Sequence, residues 1–465
     1  MRPRVALLPL YLELYDRTLP ELLPRQEAFL RDVVSLLGSW GLELRPLPVC
    51  RVRAQVAEAV AAAQADSVDG LIALHLAYSP SLETAPVLAG CGLPLLLLDT
   101  TPARRFGVDA RADDVLANHG IHGVQDLASV LRREGMVYTV AAGGMDEPGL
   151  AQKVMDWARA AHARAGLRRL RVAQVGAAFP GMGDFGVSAE WLRDRLGATL
   201  VPVEVSRVAR LAAAVSAEEL SDEMESDRSH YEWAGLDPAC WERSDRMALG
   251  LRRALGEIEA GAFSLNFASF DRAEGALTVP FLEASKAMAR GLGYAGEGDV
   301  LTACLVAVLN GCWGATTFTE MFCPDWEGGR VFMSHMGECN PALAKCRPRL
   351  LEKDYAFGPT DNPAVLLFPL RPGSAALVNL APVGEGGLTL IAAEVSICDL
   401  GPQPALGVAP HFWIAPPMEL ASFLEQYSAA GGTHHLALTP GLRAASLRPL
   451  AELLGCRFMH LAAAG

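Results

Sequence analysis

What most limits how this chain can fold is a change of rhythm at Gly311. Before it, apolar runs of strand length alternate with stretches of helical periodicity. Residues 5–10 form a near-continuous apolar run, residues 28–37 are helical in period and end before Gly41, and residues 42–49 look like a second strand. Pro46 and Pro48 place that second strand at a sheet edge, because proline cannot donate to a ladder. Further strands fall at 70–76, 95–98 and 136–141, with helices at 52–63, 82–88, 124–132 and 150–165. Strands alternating with helices over this distance imply a parallel, doubly wound sheet. The run 170–175 opens a second α/β unit, with an acidic helical region at 216–229 and helices at 244–260, 281–291 and 300–310. After Gly311, strand-like runs at 316–318, 331–334, 365–368, 375–380, 388–395 and 411–414 follow one another without helices between them. A helix at 418–427, a strand at 434–438, a helix at 442–454 and a strand at 457–460 close the chain. The expected fold is two doubly wound parallel-sheet α/β domains, 1–168 and 169–311, followed by a β-rich, barrel-like C-terminal domain, 312–465.

Composition narrows the function. With 465 residues, 51% of them hydrophobic, the chain can bury several cores. A formal net charge of −13 argues against nucleic acid as a partner, since phosphate binding needs clustered Lys and Arg. The ten cysteines contain no CxxC pair and read as reduced thiols of a cytoplasmic protein. Residues 1–16 superficially suggest a signal peptide, but Glu13 and Asp16 interrupt the apolar run and no small-residue cleavage site follows, so a first β-strand is expected there. The uncharged run 300–319 has the length of a membrane span, yet Asn310, Gly311, Gly314 and three threonines crowd its second half. A buried helix leading into a strand fits better, and no membrane role is expected.

Residues able to carry chemistry gather between 293 and 340. Glu297 sits between two glycines in Gly-Tyr-Ala-Gly-Glu-Gly-Asp, ahead of a helix. Such a turn could cradle phosphate, but the anionic residue repels phosphate and attracts a cation. Glu320 leaves the uncharged run within a β-prone segment, and carboxylates flanked by apolar residues are paired or metal-bound when buried. His335 ends a strand, with Glu338 available as its partner or as a turn cap. His434 and His435 are neighbours on an expected strand, where adjacent side chains face opposite ways unless the two preceding glycines bend the backbone. Asn118, His119 and His122 lie in a glycine-punctuated loop of the first domain. Each of these residues has an ordinary structural explanation when taken singly. Two Glu and two His together make an oxygen/nitrogen donor set that suits Mn2+, Co2+ or Mg2+ better than a closed zinc site. An open divalent site beside carboxylates suits polarising a hydroxy-carbonyl substrate while a Glu moves a proton.

Four motifs, in this order, resemble the L-arabinose isomerase family within the arabinose/fucose isomerase group. They are Gly-Tyr-Ala-Gly-Glu-Gly-Asp (293–299), Thr-Thr-Phe-Thr-Glu (316–320), Ser-His-Met-Gly-Glu-Cys-Asn-Pro (334–341) and Gly-Gly-Thr-His-His (431–435). The likeness is specific from Gly293 onward, weaker in the middle domain, and faint in the first apart from the loop 118–123. It implies three domains, a homotrimer or homohexamer with the site at a subunit boundary, and use of Mn2+ or a similar ion. It assigns Glu297, Glu320, His335 and His435 as metal ligands, with Glu297 and Glu320 doubling as the acid/base pair that moves a proton between C1 and C2 of an open-chain sugar. It places His434 against the sugar, gives His122 a reach to a neighbouring subunit's site, and makes Phe270 and Met182 apolar sugar contacts.

One departure bears on the substrate. Where the family carries a Ser-Gln-His-Leu-Tyr-Gly sugar-contacting stretch, this chain reads Tyr11-Leu-Glu-Leu-Tyr-Asp16, so the contacts there fall to Leu12 and Leu14. Losing a hydrogen-bonding amide should change which distal hydroxyls are recognised. The fucose branch uses an Asp as its second acid and lacks the paired histidines, so Glu320 and His434–His435 point to the arabinose branch. The resemblance therefore implies conversion of L-arabinose to L-ribulose. The alternatives are an isomerase of another aldose, such as L-fucose or D-galactose, or a non-catalytic sugar-binding protein on the same fold. A metal-dependent hydrolase would want a positioned water and an oxyanion donor, and no motif supplies either.

Overall fold

A computed structural model describes residues 2–384, 386–401, 403–407 and 410–463. The chain separates into two compact units, residues 1–165 and 166–465.

The first unit is a five-stranded sheet of β1 (Arg4–Leu10), β2 (Glu43–Pro46), β3 (Gly70–His75), β4 (Leu95–Asp99) and β5 (Thr139–Ala142), in the order β2-β1-β3-β4-β5. All four pairings are parallel. The inner strands are apolar except for Arg4, His75 and Asp99 at their ends, as expected for strands buried on both faces, and β2 with its proline lies at the edge. Ala6, Leu8, Leu71, Ala73, Leu95 and Leu97 pack with Val56, Val124 and Leu127 of the crossover helices.

Two expectations need correction in this unit. The first strand stops at Leu10, and Glu13–Thr18 is a short helix with Leu12 at its N-cap. The stretch 118–123 is not a loop throughout, since Gly120 already begins the helix Gly120–Arg133. Its glycines are demanded by packing: a Cβ at Gly123 would stand 2.1 Å from the buried His75 ring.

The second unit holds three sheets. Four parallel strands, β6 (Arg171–Val175), β7 (Thr199–Val203), β8 (Ala262–Leu265) and β9 (Gly293–Gly296), run in the order β7-β6-β8-β9. Then come β10 (Thr317–Asp325), β11 (Arg330–Ser334), β12 (Arg349–Glu352), β13 (Ala364–Leu367), β14 (Gly373–Val383), β15 (Gly387–Cys398), β16 (His411–Ala415), β17 (His435–Pro440) and β18 (Arg457–Leu461). Six of them close in the order β14-β17-β10-β11-β16-β15 and back to β14, with every pairing antiparallel. Closure removes the free edges that successive strands would otherwise expose. Strand β18 adds in parallel to β15, and β12 pairs with β13 separately. Met333, Leu377, Ile391, Ile414, Leu436 and Leu438 fill the core, joined by Trp241 and Leu282 from the helices Pro238–Glu257 and Phe281–Ala289.

The uncharged run becomes the buried helix Val300–Cys312 followed by β10. Among the described residues no helix is long and apolar enough to cross a membrane. Residues 293–296, expected within a glycine-rich turn, form β9, so the turn shrinks to Glu297 and Gly298.

Candidate functional site

Strand register assembles three parts of the site. On β10, Glu320 stands directly opposite His435, the first residue of β17, and opposite Ser334, the last residue of β11. His335 follows Ser334 and turns its ring to the same side. Phe318, two residues before Glu320 and so on the same face, wedges between the two imidazoles, with ring centroids 4.7 Å from His335 and 4.9 Å from His435.

Glu297 comes from the other sheet, at the C-terminal end of β9. Its φ of +60° lies in the left-handed region, unusual for a residue with a side chain. Backbone hydrogen bonds hold it there: Glu297 N–H donates to the Leu265 carbonyl at 2.7 Å, and Phe179 N–H donates to the Glu297 carbonyl at 2.9 Å. Gly296 must be glycine, because a Cβ there would stand 2.8 Å from the His335 ring. The result brings Glu297, Glu320, His335 and His435 together, all buried, with one ligand atom from each within 4.8 Å of every other.

Each of the two buried histidines is held from behind by a carboxylate. His335 Nδ1 donates to Glu338 at 2.7 Å, and Glu338 also accepts from Gly337 N–H and the Tyr294 hydroxyl. His435 Nδ1 donates to Asp299 at 3.0 Å, while the other Asp299 oxygen caps the helix Val300–Cys312 by accepting from Thr302 N–H. With Nδ1 committed, both rings turn Nε2 toward Glu297 and Glu320. His435 Nε2 is 3.1 Å from Glu297 and 2.9 Å from Glu320, and His335 Nε2 is 3.5 Å from Glu320. His335 Nε2 is buried without a hydrogen-bond partner among the described residues.

Electrostatics favours positive charge here. Burial alone would pull His435 down, but Asp299, Glu297 and Glu320 outweigh it and raise its pKa well above the ordinary value. His335 is likewise raised, with Glu338 and Glu320 overcoming burial. Burial would raise the Glu297 carboxyl, yet the imidazoles of His434 and His435 hold it well below the usual range. Two carboxylates and two Nε2 atoms on carboxylate-anchored rings, one of them unsatisfied, match what a divalent cation requires of its donors.

His434 is half-exposed, and it reaches the cluster although alternation on a strand would turn it away from His435. The strand begins only at His435, so the rule does not extend to its neighbour. The His434 and His435 rings lie 4.2 Å apart, and His434 Nε2 is 3.7 Å from Glu297 and 3.8 Å from Glu320. Two residues of the loop 177–187 support the pair. Asp184 accepts from His434 N–H at 3.0 Å and from His434 Nδ1 at 2.7 Å, and Phe185 stacks on His435 with centroids 4.8 Å apart. Neither residue, nor the orienting role of Asp299, was anticipated from sequence. For Asp299 a signal existed, an acid three residues before a threonine at a helix start.

The remaining expected contacts are spread out. Met182 is partly buried in the same loop as Asp184, and its N–H donates to the Phe179 carbonyl at 3.4 Å. Phe270 is fully buried after β8. Leu12, Leu14 and His122 belong to the first unit, where Leu14 and His122 are exposed. There the Tyr15 hydroxyl is 3.0 Å from His119 Nε2, and the His119 ring lies edge-on to His122.

Comparison with known proteins follows the same lines. The L-arabinose isomerase central-domain model matches residues 187–312, and the L-arabinose isomerase C-terminal-domain model matches residues 315–457. L-arabinose isomerase of a Nocardioides species is 29% identical over 401 residues, covering 84% of this chain and 80% of its own. L-arabinose isomerase 1 of Bacillus licheniformis is 28% identical over 401 residues, covering 83% and 79%. Among solved structures, a periplasmic solute-binding protein from Actinobacillus succinogenes with bound D-allose covers 67% of this chain and 92% of its own at 12% identity, with a TM-score of 0.18, too slight a likeness to support a comparison. On the two domain matches and relatives spanning most of its length, the chain belongs to the L-arabinose isomerase family, a family of aldose–ketose isomerases.

Proposed function

We propose that this protein is a divalent-metal-dependent aldose–ketose isomerase that converts L-arabinose to L-ribulose. The observation that carries the reading is the buried set of Glu297, Glu320, His335 and His435, whose ligand atoms share one small space while both imidazoles are fixed from behind by carboxylates. These four residues would hold Mn2+, or Co2+ or Mg2+ in its place. When bound, such an ion supplies polarisation of the sugar carbonyl and its neighbouring hydroxyl. Glu297 and Glu320 form the acid/base pair. One carries the carbon-bound proton from C2 to C1, and the other carries the hydroxyl proton from O2 to O1, so that the aldehyde becomes an alcohol and C2 a ketone through an enediol(ate). Burial keeps competing water from the carboxylates.

His434 faces the sugar, and family likeness assigns Met182, Phe270, Leu12, Leu14 and, from a neighbouring subunit, His122 to the substrate side. The same likeness supports a homotrimer or homohexamer in the cytoplasm and a division at 168/169 and 311/312. A second reading, isomerisation of another aldose, is favoured by Leu12 standing where the family carries a hydrogen-bonding glutamine.

The deciding test is ketose formation from a panel of aldopentoses and aldohexoses, using metal-stripped protein with and without Mn2+. Manganese-dependent turnover of L-arabinose supports the proposal. Preference for L-fucose or D-galactose keeps the reaction and changes the substrate. No ketose from any sugar, with Mn2+ bound, overturns it in favour of a sugar-binding protein.

A further inference from the structure

The loop 177–187 is stitched to the site from both of its ends. Near its start, Asn266 donates to the Ala177 carbonyl at 2.9 Å, and Phe179 N–H donates to the carbonyl of Glu297 at 2.9 Å. Toward its end, one oxygen of Asp184 accepts both N–H groups that His434 presents, at 3.0 Å from the backbone and 2.7 Å from Nδ1, across 250 residues of sequence. The next residue, Phe185, is buried and lies nearly parallel to the His435 ring, at an interplanar angle of 10°. A carboxylate can only accept from these partners, so Nδ1 of the His434 ring carries a hydrogen and Nε2 is the atom turned toward Glu297 and Glu320.

We propose that Asp184 is a positioning residue of the site: it fixes the rotation of the His434 ring so that Nε2, and never Nδ1, meets the substrate. This rests on the isomerase reading given above. His434 sits outside regular strand structure and is half-exposed, so its own backbone does not select a ring orientation. The two-point grip of Asp184 supplies the constraint, on the backbone and on the ring at once. The role parallels those of Asp299 and Glu338, with the difference that Asp184 orients a ring facing the sugar and comes from a different part of the chain.

The test compares D184A and D184N with the parent enzyme. Asparagine keeps a carbonyl oxygen able to accept both bonds, whereas alanine keeps none. In metal-stripped protein with 15N-labelled histidine, the His434 signals, assigned by their loss in H434Q, should show the hydrogen on Nδ1 in the parent and in D184N. In D184A they should show a mixture of tautomers. In the Mn2+-loaded enzymes, kcat/KM should fall about tenfold or more in D184A and recover in D184N. Mn2+ affinity, measured by calorimetry, should stay within about twofold of the parent in both, since Asp184 acts on a ring outside the four-ligand set. A D184A protein with unchanged His434 signals overturns the proposal. So does equal loss of kcat/KM in D184A and D184N with an equal fall in melting temperature, which would make Asp184 a structural residue. If the parent turns over no sugar, the isomerase reading is what has failed, and the tautomer comparison still decides the role of Asp184.

Discussion

His335 and Glu338 are three residues apart, yet they meet ring to carboxylate at 2.7 Å behind the ligand cluster, because the chain turns sharply after β11. Glu338 is itself held by Gly337 N–H and the buried Tyr294 hydroxyl. A partner so constrained fixes which nitrogen of His335 faces the site. E338Q should therefore weaken Mn2+ binding about 10- to 100-fold. Titration of metal-stripped protein measures this directly, and an unchanged affinity would mean that the ring is oriented by packing against Phe318 alone.

Of the four clustered residues, Glu320 is the one carried on a strand interior, fixed by ladders on both sides through His435 and Ser334. Replacing its carboxylate with an amide of the same shape leaves those ladders untouched. E320Q should keep the melting temperature of the parent while kcat falls at least about 10^2-fold, as expected for loss of a proton-transferring group. Near-normal turnover would remove Glu320 from the acid/base pair.

The change of rhythm at Gly311 made the succession of parallel and antiparallel sheets legible, since burial on both faces writes near-continuous apolar runs and a barrel writes successive short strands. The four clustered residues stood out because each lies in a glycine- or threonine-rich motif with little other reason to hold a charge. Asp184 and Phe185 could not be read in this way. They lie in an aperiodic loop, and their partners His434 and His435 are 250 residues downstream. His434 defeated the alternation rule because the strand starts one residue later than the apolar pattern suggests. Helix 13–18 was hidden by its shortness, with one turn and a half giving no period to detect. The acidic stretch 216–229 reads as helical from its pattern, but nothing local shows that Asp227 is buried against a lysine 59 residues away.

Gly296 offers a test of the site's tightness that leaves every donor in place. A methyl group at this position would stand 2.8 Å from Cε1 and 2.9 Å from Nε2 of His335, and the ring is pinned on its far side by Glu338. G296A should lower stability by about 1–3 kcal/mol and weaken Mn2+ binding by displacing the ring. Denaturant unfolding of metal-stripped protein, with and without added Mn2+, separates the two effects. Full retention of both would show that the turn after β9 can shift to make room.

A buried ion network in the helical layer of the second unit makes the last prediction. Lys286 Nζ, nearly inaccessible, lies 2.9 Å from Glu223, 2.6 Å from Asp227 and 3.3 Å from Asp245. Arg252 bridges Glu223 to Glu283, and Arg290 also meets Glu283. Four carboxylates face three cations, and the surplus falls on Asp245, whose second oxygen is without a hydrogen-bond partner among the described residues. Burial, outweighing the pull of Lys286 and helped by Asp227 and Glu223, pushes the Asp245 carboxyl up to about 7. An acid whose folded pKa exceeds its unfolded one keeps its proton in the native state over the interval between them, while the unfolded chain releases it. Stability from this group therefore falls as pH rises from about 4 to about 7 and is level above that. D245N exchanges no proton and restores the balance of charge. It should be at least as stable as the parent at pH 8, and its melting temperature should fall less steeply between pH 4 and 7. K286M, by contrast, strands the buried carboxylates of Asp227 and Asp245 and should cost about 3–5 kcal/mol. A D245N protein markedly less stable than the parent at pH 8 would show that Asp245 is held as a paired anion after all.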